Sequence, residues 1–305
     1  MLHVVNGEST LELLKQSPIT GSFLVWKEML MEGPVLTLPN GGVDWKARAA
    51  FLKKRFGIES KAYLANIKIF FDTLTRASES DTEVTFWFEE DFFCQIHLIF
   101  LLTHLPEPLL AKGRINIICP EKSLAIRQPS SMERLFNARS PLAPAKLTLS
   151  RKVWTAFAQS TPEGWSGLLK WTQSGSGFAA WPLLQKSLRC HLARRPNPDG
   201  GPNPLETAML LALSQGPLGF SQFFRRTWSE PQVHPLGMGD MQIARCALDF
   251  AAKPNPLLVI KGPGNSPAPG TPIITKGWKL HLTAAGKSIF AHDKPKLKSR
   301  LHSPK

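Results

Sequence analysis

No CxxC pair occurs in this 305-residue chain; its four cysteines, Cys94, Cys119, Cys190 and Cys246, stand far apart. That spacing excludes a short zinc ribbon and a dense disulfide framework, and it suits a reducing compartment. The first residues, Met-Leu-His-Val-Val-Asn-Gly, lack a basic segment before an apolar run, so no secretory signal is read there. The longest apolar stretches, around 96–102, are far too short to span a bilayer. Neither GxGxxG after the first apolar run nor GxxxxGK[ST] is present, which removes the usual dinucleotide and P-loop readings. GxSxG is missing too, and with it an ordinary α/β-hydrolase nucleophile. The expectation is a soluble cytoplasmic protein with no membrane partner.

Acidic residues are scarce in one half only. Residues 1–147 carry 17 Lys+Arg and 16 Asp+Glu, a net of +1, while 148–305 carry 20 and 7, a net of +13. Such asymmetry points the C-terminal half at a polyanion, with nucleic acid the first candidate and plain solubility the alternative. A basic tail, 292–305, is expected to be disordered. The length favours two domains, and 43% hydrophobic with 20% charged residues argues against wholesale disorder.

The N-terminal half, 1–147, reads as α/β. Short apolar runs at 3–5, 23–26, 83–88 and 114–119 alternate with helical spacing at 9–16, 45–56, 60–77 and 92–105. Ser9-Thr10-Leu11-Glu12 reads as a capping box. Continuous apolar strands between helices imply a small parallel, Rossmann-like sheet flanked by helices. Ligands of such sheets lie beyond the carboxyl ends of the strands. The pocket candidates there are Asn6, Gly7, Glu8, Ser9, Trp26, Glu28, Glu32, Glu89, Asp91 and Gln95. Gly7 before helix amides suits one phosphate or carboxylate of an unidentified small ligand. The carboxylates Glu8, Glu28, Glu32, Glu89 and Asp91 suit Mg²⁺ chemistry, although no ligand spacing specific to a metal is present. Against both readings, Ser9, Glu12 and Asp91 have ordinary capping roles, and acids before a helix suit its dipole. His97 and His104 read as satisfied or surface histidines.

The string His3-Val4-Val5-Asn6-Gly7-Glu8-Ser9, then Trp26, Glu28 and Glu32-Gly33-Pro34, then Trp87-Phe88-Glu89-Glu90-Asp91 with Gln95, resembles a bacterial family labelled domain of unknown function 1835. The resemblance covers about 2–120 by motif. Its members often have Asp where this chain has Glu8, and His where it has Glu90. The family label carries no activity. The resemblance implies that these polar strand ends form one recurring pattern.

Residues 148–195 read as a helical connector, and the Pro/Gly/Asn-rich 196–204 as a boundary. In 205–291, helices at 205–214, 220–229 and 240–252 precede strands at 257–260 and 278–282 around a Gly/Pro-rich hairpin. That order resembles a winged helix-turn-helix, and Leu282-Thr283-Ala-Ala-Gly286 resembles the segment common behind such wings. The candidate nucleic-acid contacts are Arg225, Arg226, Arg245, Lys261, Lys276 and Lys279, with Gln242 on the presumed recognition helix. Asp240 and Asp249 on that helix oppose a phosphate backbone, so backbone contact suits this region better than base readout. A winged helix that packs or pairs chains is the alternative. Three functional classes follow: a ligand-sensing regulator with a basic winged helix, a metal-assisted hydrolase or phosphoryl-handling enzyme, and a non-catalytic adaptor.

Overall fold

A computed structural model describes residues 1–38, 42–121, 123–159, 162–197, 200–262 and 277–289. The chain divides into two compact units, Met1–Ala50 with Glu59–Leu188, and Phe51–Ile58 with Arg189–Lys305. Each is described by itself.

The first unit is built on β1 (Leu2–Asn6), β2 (Ser22–Trp26), β3 (Val84–Trp87), β4 (Ile115–Ile118) and β5 (Ser140–Pro141), in the order β2-β1-β3-β4-β5. The first four strands run parallel and β5 antiparallel. β1 is entirely buried, as a central parallel strand covered on both faces must be. Alternate residues divide between the two faces. Val5, Trp87 and Ile118 meet Leu11 and Leu14 of α1 (Glu8–Lys15), with Leu124 and with Met132 of α6 (Met132–Asn137). On the opposite face Trp26 packs edge-on to Phe70 of α3 (Ser60–Glu79) and stacks on Phe100 of α4 (Phe92–Thr103). Phe92 and Phe100 continue outward to Phe157 and Trp154 of α7 (Pro144–Ala158). α2 (Trp45–Phe56), α5 (Glu107–Ala111), α8 (Pro162–Ser174) and α9 (Pro182–Leu192) complete the helices in this stretch of chain.

The second unit contains α10 (Pro204–Ala212), β6 (Leu218–Gly219), α11 (Phe220–Trp228), α12 (Asp240–Ala251), β7 (Leu258–Lys261) and β8 (Lys279–Leu282). The strands form an antiparallel sheet in the order β6-β8-β7. A short helix follows at 284–289. β7 and β8 are two-faced: Leu258, Ile260 and Leu280 are buried, whereas Lys261 and Lys279 are exposed. Period-two alternation of this kind is what a sheet with one solvated face requires. Leu205, Ala208, Met209, Phe223, Ile243, Ala247 and Phe250 supply the helical side of the core. Among the described residues no helix is long and apolar enough to cross a membrane.

Two expectations change. α1 begins at Glu8 with Gly7 as its N-cap, so Ser9 is exposed inside the first turn rather than capping it. The positive φ of Gly7 (86°) turns the chain into the helix one step earlier than the Ser9–Glu12 pattern implies. β5 and β6, each two residues long, were not expected. The hairpin at 263–276, with Lys276, and the tail from 290 onward lie outside the described residues.

Candidate functional site

Parallel register brings the carboxyl ends of β2, β1 and β3 side by side, with Asn6 opposite Trp26 and Val5 opposite Trp87. The polar residues of these strand ends are tied together by α4. Its N-cap is Asp91, whose Oδ1 accepts from the Cys94 amide at 2.8 Å. Asn6 donates from Nδ2 to Cys94 Sγ at 3.0 Å and meets His97 Nδ1 through its Oδ1, also at 3.0 Å. The Leu30 amide donates to His97 Nε2 at 3.1 Å. Because Nε2 accepts, the neutral ring carries its proton on Nδ1 and donates it to Asn6. Burial, with Arg48 adding to it, holds the His97 imidazole well below its ordinary range. Gln95, fully buried, donates to the Glu89 carbonyl at 2.5 Å and to Cys119 Sγ at 3.3 Å. Its Oε1 has no hydrogen-bond partner.

Glu28 and Glu32 belong to a second cluster. Arg48 grips Glu28 with Nε on Oε1 at 2.7 Å and Nη2 on Oε2 at 3.0 Å. The same guanidinium reaches the carbonyls of Met29 (2.6 Å), Glu32 (2.5 Å) and Pro34 (3.3 Å). These five bonds match the five N–H groups of an arginine. Tyr63 also donates to Glu28 Oε1, at 2.7 Å. Burial and the Glu28 charge push the Tyr63 phenol far above its ordinary range, so it stays protonated and keeps donating. A buried carboxylate matched by a guanidinium and a phenol organises the loop after β2. It is sealed from solvent and offers no free oxygen pair to a metal.

What remains on the rim is Gly7, Glu8, Ser9, Glu89, Glu90 and one edge of Asp91. Glu8 sits in the first turn of α1, ion-paired with Lys27, and supplies the negative charge that this helix end favours. Burial pushes the Asp91 carboxyl up to about 7 despite the Cys94 amide, and Glu89 adds to the rise. Burial raises the thiols of Cys94 and Cys119 as well, the latter to about 11, so both stay protonated at neutrality. Among the described residues no three His, Cys, Asp or Glu side chains are grouped to hold a metal ion. The structure thus gathers Asn6, Trp26, Glu89, Asp91 and Gln95 about Cys94 and His97. It draws Glu28 and Glu32 instead toward Arg48.

The cationic candidates of the second unit separate just as clearly. Gln242 is buried and accepts the Gly239 amide at 3.0 Å, acting as a helix-start cap. Arg245 is engaged with Asp249 at 3.0 and 3.2 Å, and Asp249 also pairs with Arg55. α12 therefore has no free base-reading group at these two positions. Arg225 is exposed, and Arg226 donates to the Ala212 carbonyl at 3.2 Å. Lys261 and Lys279 stand directly opposite each other on β7 and β8, both exposed. His281 lies two residues along the same face, its imidazole lowered by burial and then by Lys261, Lys279 and Lys287. None of these three lysines has an acidic partner among the described residues. His281 and Lys287 were not among the sequence candidates. Residues 250–292 contain no Asp or Glu at all, and that acid-free run was the signal that could have found them.

No family model matches this chain, and no curated protein matches it either.

Proposed function

We propose that the second unit is a winged-helix module that holds nucleic acid by its phosphates, and that the Rossmann-like first unit is its regulatory, ligand-sensing partner. The order α10-β6-α11-α12-β7-β8, with β6 paired to β8, supports the winged-helix reading. The observation that carries the nucleic-acid reading is the outward strand face. Like charges directly opposite in a sheet are destabilising, so Lys261 facing Lys279 costs stability until an anion lies across them. With Gln242 and Arg245 engaged elsewhere, contact falls to the wing face and to Arg225. Binding is then electrostatic and weakly sequence-dependent. On the strand-end motifs of its sequence, the first unit is read as kin to the bacterial family labelled domain of unknown function 1835.

The test is duplex binding by the full chain across a salt series, because the second unit includes Phe51–Ile58. Affinity should fall with a log–log slope of about −0.9 per phosphate contact. The Lys261→Ala/Lys279→Ala double variant should weaken binding and flatten that slope by roughly two contacts. An unchanged slope, or binding lost only when the tail from 292 is removed, would overturn the proposal.

One observation favours an enzymatic second reading: a strand-end carboxyl poised near neutrality, Asp91, is the kind of group that serves as a general base. Turnover of a generic phosphodiester that disappears in Asp91→Asn would support it.

A further inference from the structure

We propose that the second unit carries a phosphomonoester site in the cavity between the end of α10 and the strand–helix turn after β8, sized for a mononucleotide. The cavity measures about 400 Å³ and is lined by Leu213, Ser214, Gly216, Pro217, His281, Leu282 and Lys287. That volume falls within the roughly 300–1,000 Å³ of small-molecule sites. It is several times what a bare phosphate needs, so it has room for an organic body. The lining is correspondingly divided. Leu213, Pro217 and Leu282 offer apolar surface, while Ser214, His281 and Lys287 offer a hydroxyl, an imidazole and an ammonium. Among the described residues no acidic side chain lines it. Lys279, two residues back on the same strand, and Lys261 on the paired strand β7 add positive potential at His281.

One element opposes an anion here. The C-terminal end of α10 contributes Leu213 and Ser214 to the lining, and helix C-termini carry negative potential. Its last carbonyls are largely engaged, however: the Ala212 oxygen accepts from Arg226, and those of Leu210 and Leu211 accept the amides of Leu213 and Ser214. The potential facing the cavity is then set by Lys287 and His281. A phosphate suits this pair: the Lys287 ammonium meets its charge, the neutral His281 ring donates one N–H to it, and a bound dianion raises the lowered imidazole back toward its protonated form. The Lys287 backbone amide donates to the Thr283 carbonyl, and Thr283 is itself anchored by its hydroxyl, which donates to the Pro256 carbonyl.

This inference rests on the cavity and stands independently of duplex binding. The experiment titrates the full chain with AMP, adenosine and inorganic phosphate by calorimetry, and follows the His281 ring protons by NMR. AMP should bind at one site, about tenfold or more tighter than adenosine, the size of one charge-assisted hydrogen bond. Its binding should raise the His281 pKa. Lys287→Ala should abolish the preference for AMP. Ser214→Phe should block the cavity while leaving duplex affinity in place. The Lys261→Ala/Lys279→Ala variant, which tests the duplex contact, should still bind AMP. A second arm compares oligonucleotides with a 5′-phosphate and a 5′-hydroxyl. Discrimination confined to that arm, and dependent on Lys287, assigns the phosphomonoester to a strand end. Equal affinity for AMP and adenosine together with no 5′-phosphate preference, or indifference to Lys287→Ala, overturns the site.

Discussion

Asp91 is subject to two opposed demands. As the N-cap of α4 it accepts the Cys94 amide, a role in which aspartate and asparagine are about equally good. As a desolvated carboxyl beside Glu89 its pKa is pushed from 3.8 to about 7, which favours the neutral acid. Between those two values the folded state holds a proton that the unfolded chain has released. Stability contributed by this group is therefore present at low pH and is lost as pH rises toward 7. Asparagine keeps the cap and removes the titration. Asp91→Asn should gain on the wild type progressively between about pH 4 and pH 7, by at most about 1.4 kcal/mol per pH unit, and hold its advantage above. Denaturant unfolding at a series of pH values measures the difference, and a difference independent of pH would exclude this role. His97 works in the other direction. Its neutral form is the folded one, so stability is lost as pH falls below its unfolded value of 6.5, equally in both proteins.

Among the elements, the turn after β8 gives the Thr283-x-x-Gly286 spacing a physical reason. The Thr283 hydroxyl accepts the Gly286 amide at 3.1 Å and donates to the Pro256 carbonyl at 2.8 Å, capping the 284–289 helix and tying it to the entry of β7. At Gly286 a Cβ would run into the Leu257 carbonyl, which lies against the helix backbone. The spacing Thr-x-x-Gly is thus one cap and one close approach. Gly286→Ala should cost about 1–3 kcal/mol, the range of an overpacked site, read as a lowered unfolding midpoint. It should also lower AMP affinity, because Lys287 follows directly. A fully tolerated alanine would mean that the Leu257 carbonyl gives way freely. The same contrast explains which elements were legible. The strands at 3–5, 23–26, 83–88 and 114–119 are predominantly apolar runs, and the parallel sheet that they imply is the one observed. Two-residue strands such as β5 and β6 have no periodicity to read. Arg48 was illegible for a chemical reason. In Lys46-Ala47-Arg48 it resembles a surface cation, and only the folded loop brings five acceptors to it. Glu28, read as a rim carboxylate, is bound up with that same arginine.

At the scale of the whole molecule, the second unit is discontinuous in sequence, which no local pattern announces. Phe51–Ile58 groups with Arg189–Lys305, although some 130 residues of the first unit intervene. The segment comes from the end of α2, where Gly57, at φ 70°, stops the helix and the Ile58 amide turns back to the Leu52 carbonyl. Leu52 and Phe56 are nearly fully buried, and Arg55 pairs with Asp249 of α12. Burying a leucine and a phenylalanine is worth about 1.5–3 kcal/mol each, a large share of what holds a domain of this size together. A chain comprising 189–305 alone should therefore be markedly less stable than the same residues in the intact protein. It should exchange its α12 amides faster, and it should be cleaved sooner by protease. A synthetic peptide spanning 45–60 should restore part of that protection, whereas the same peptide with Leu52→Ala and Phe56→Ala should not. If the isolated 189–305 chain melts and exchanges as it does in the full protein, the 51–58 segment contributes nothing to that unit's core.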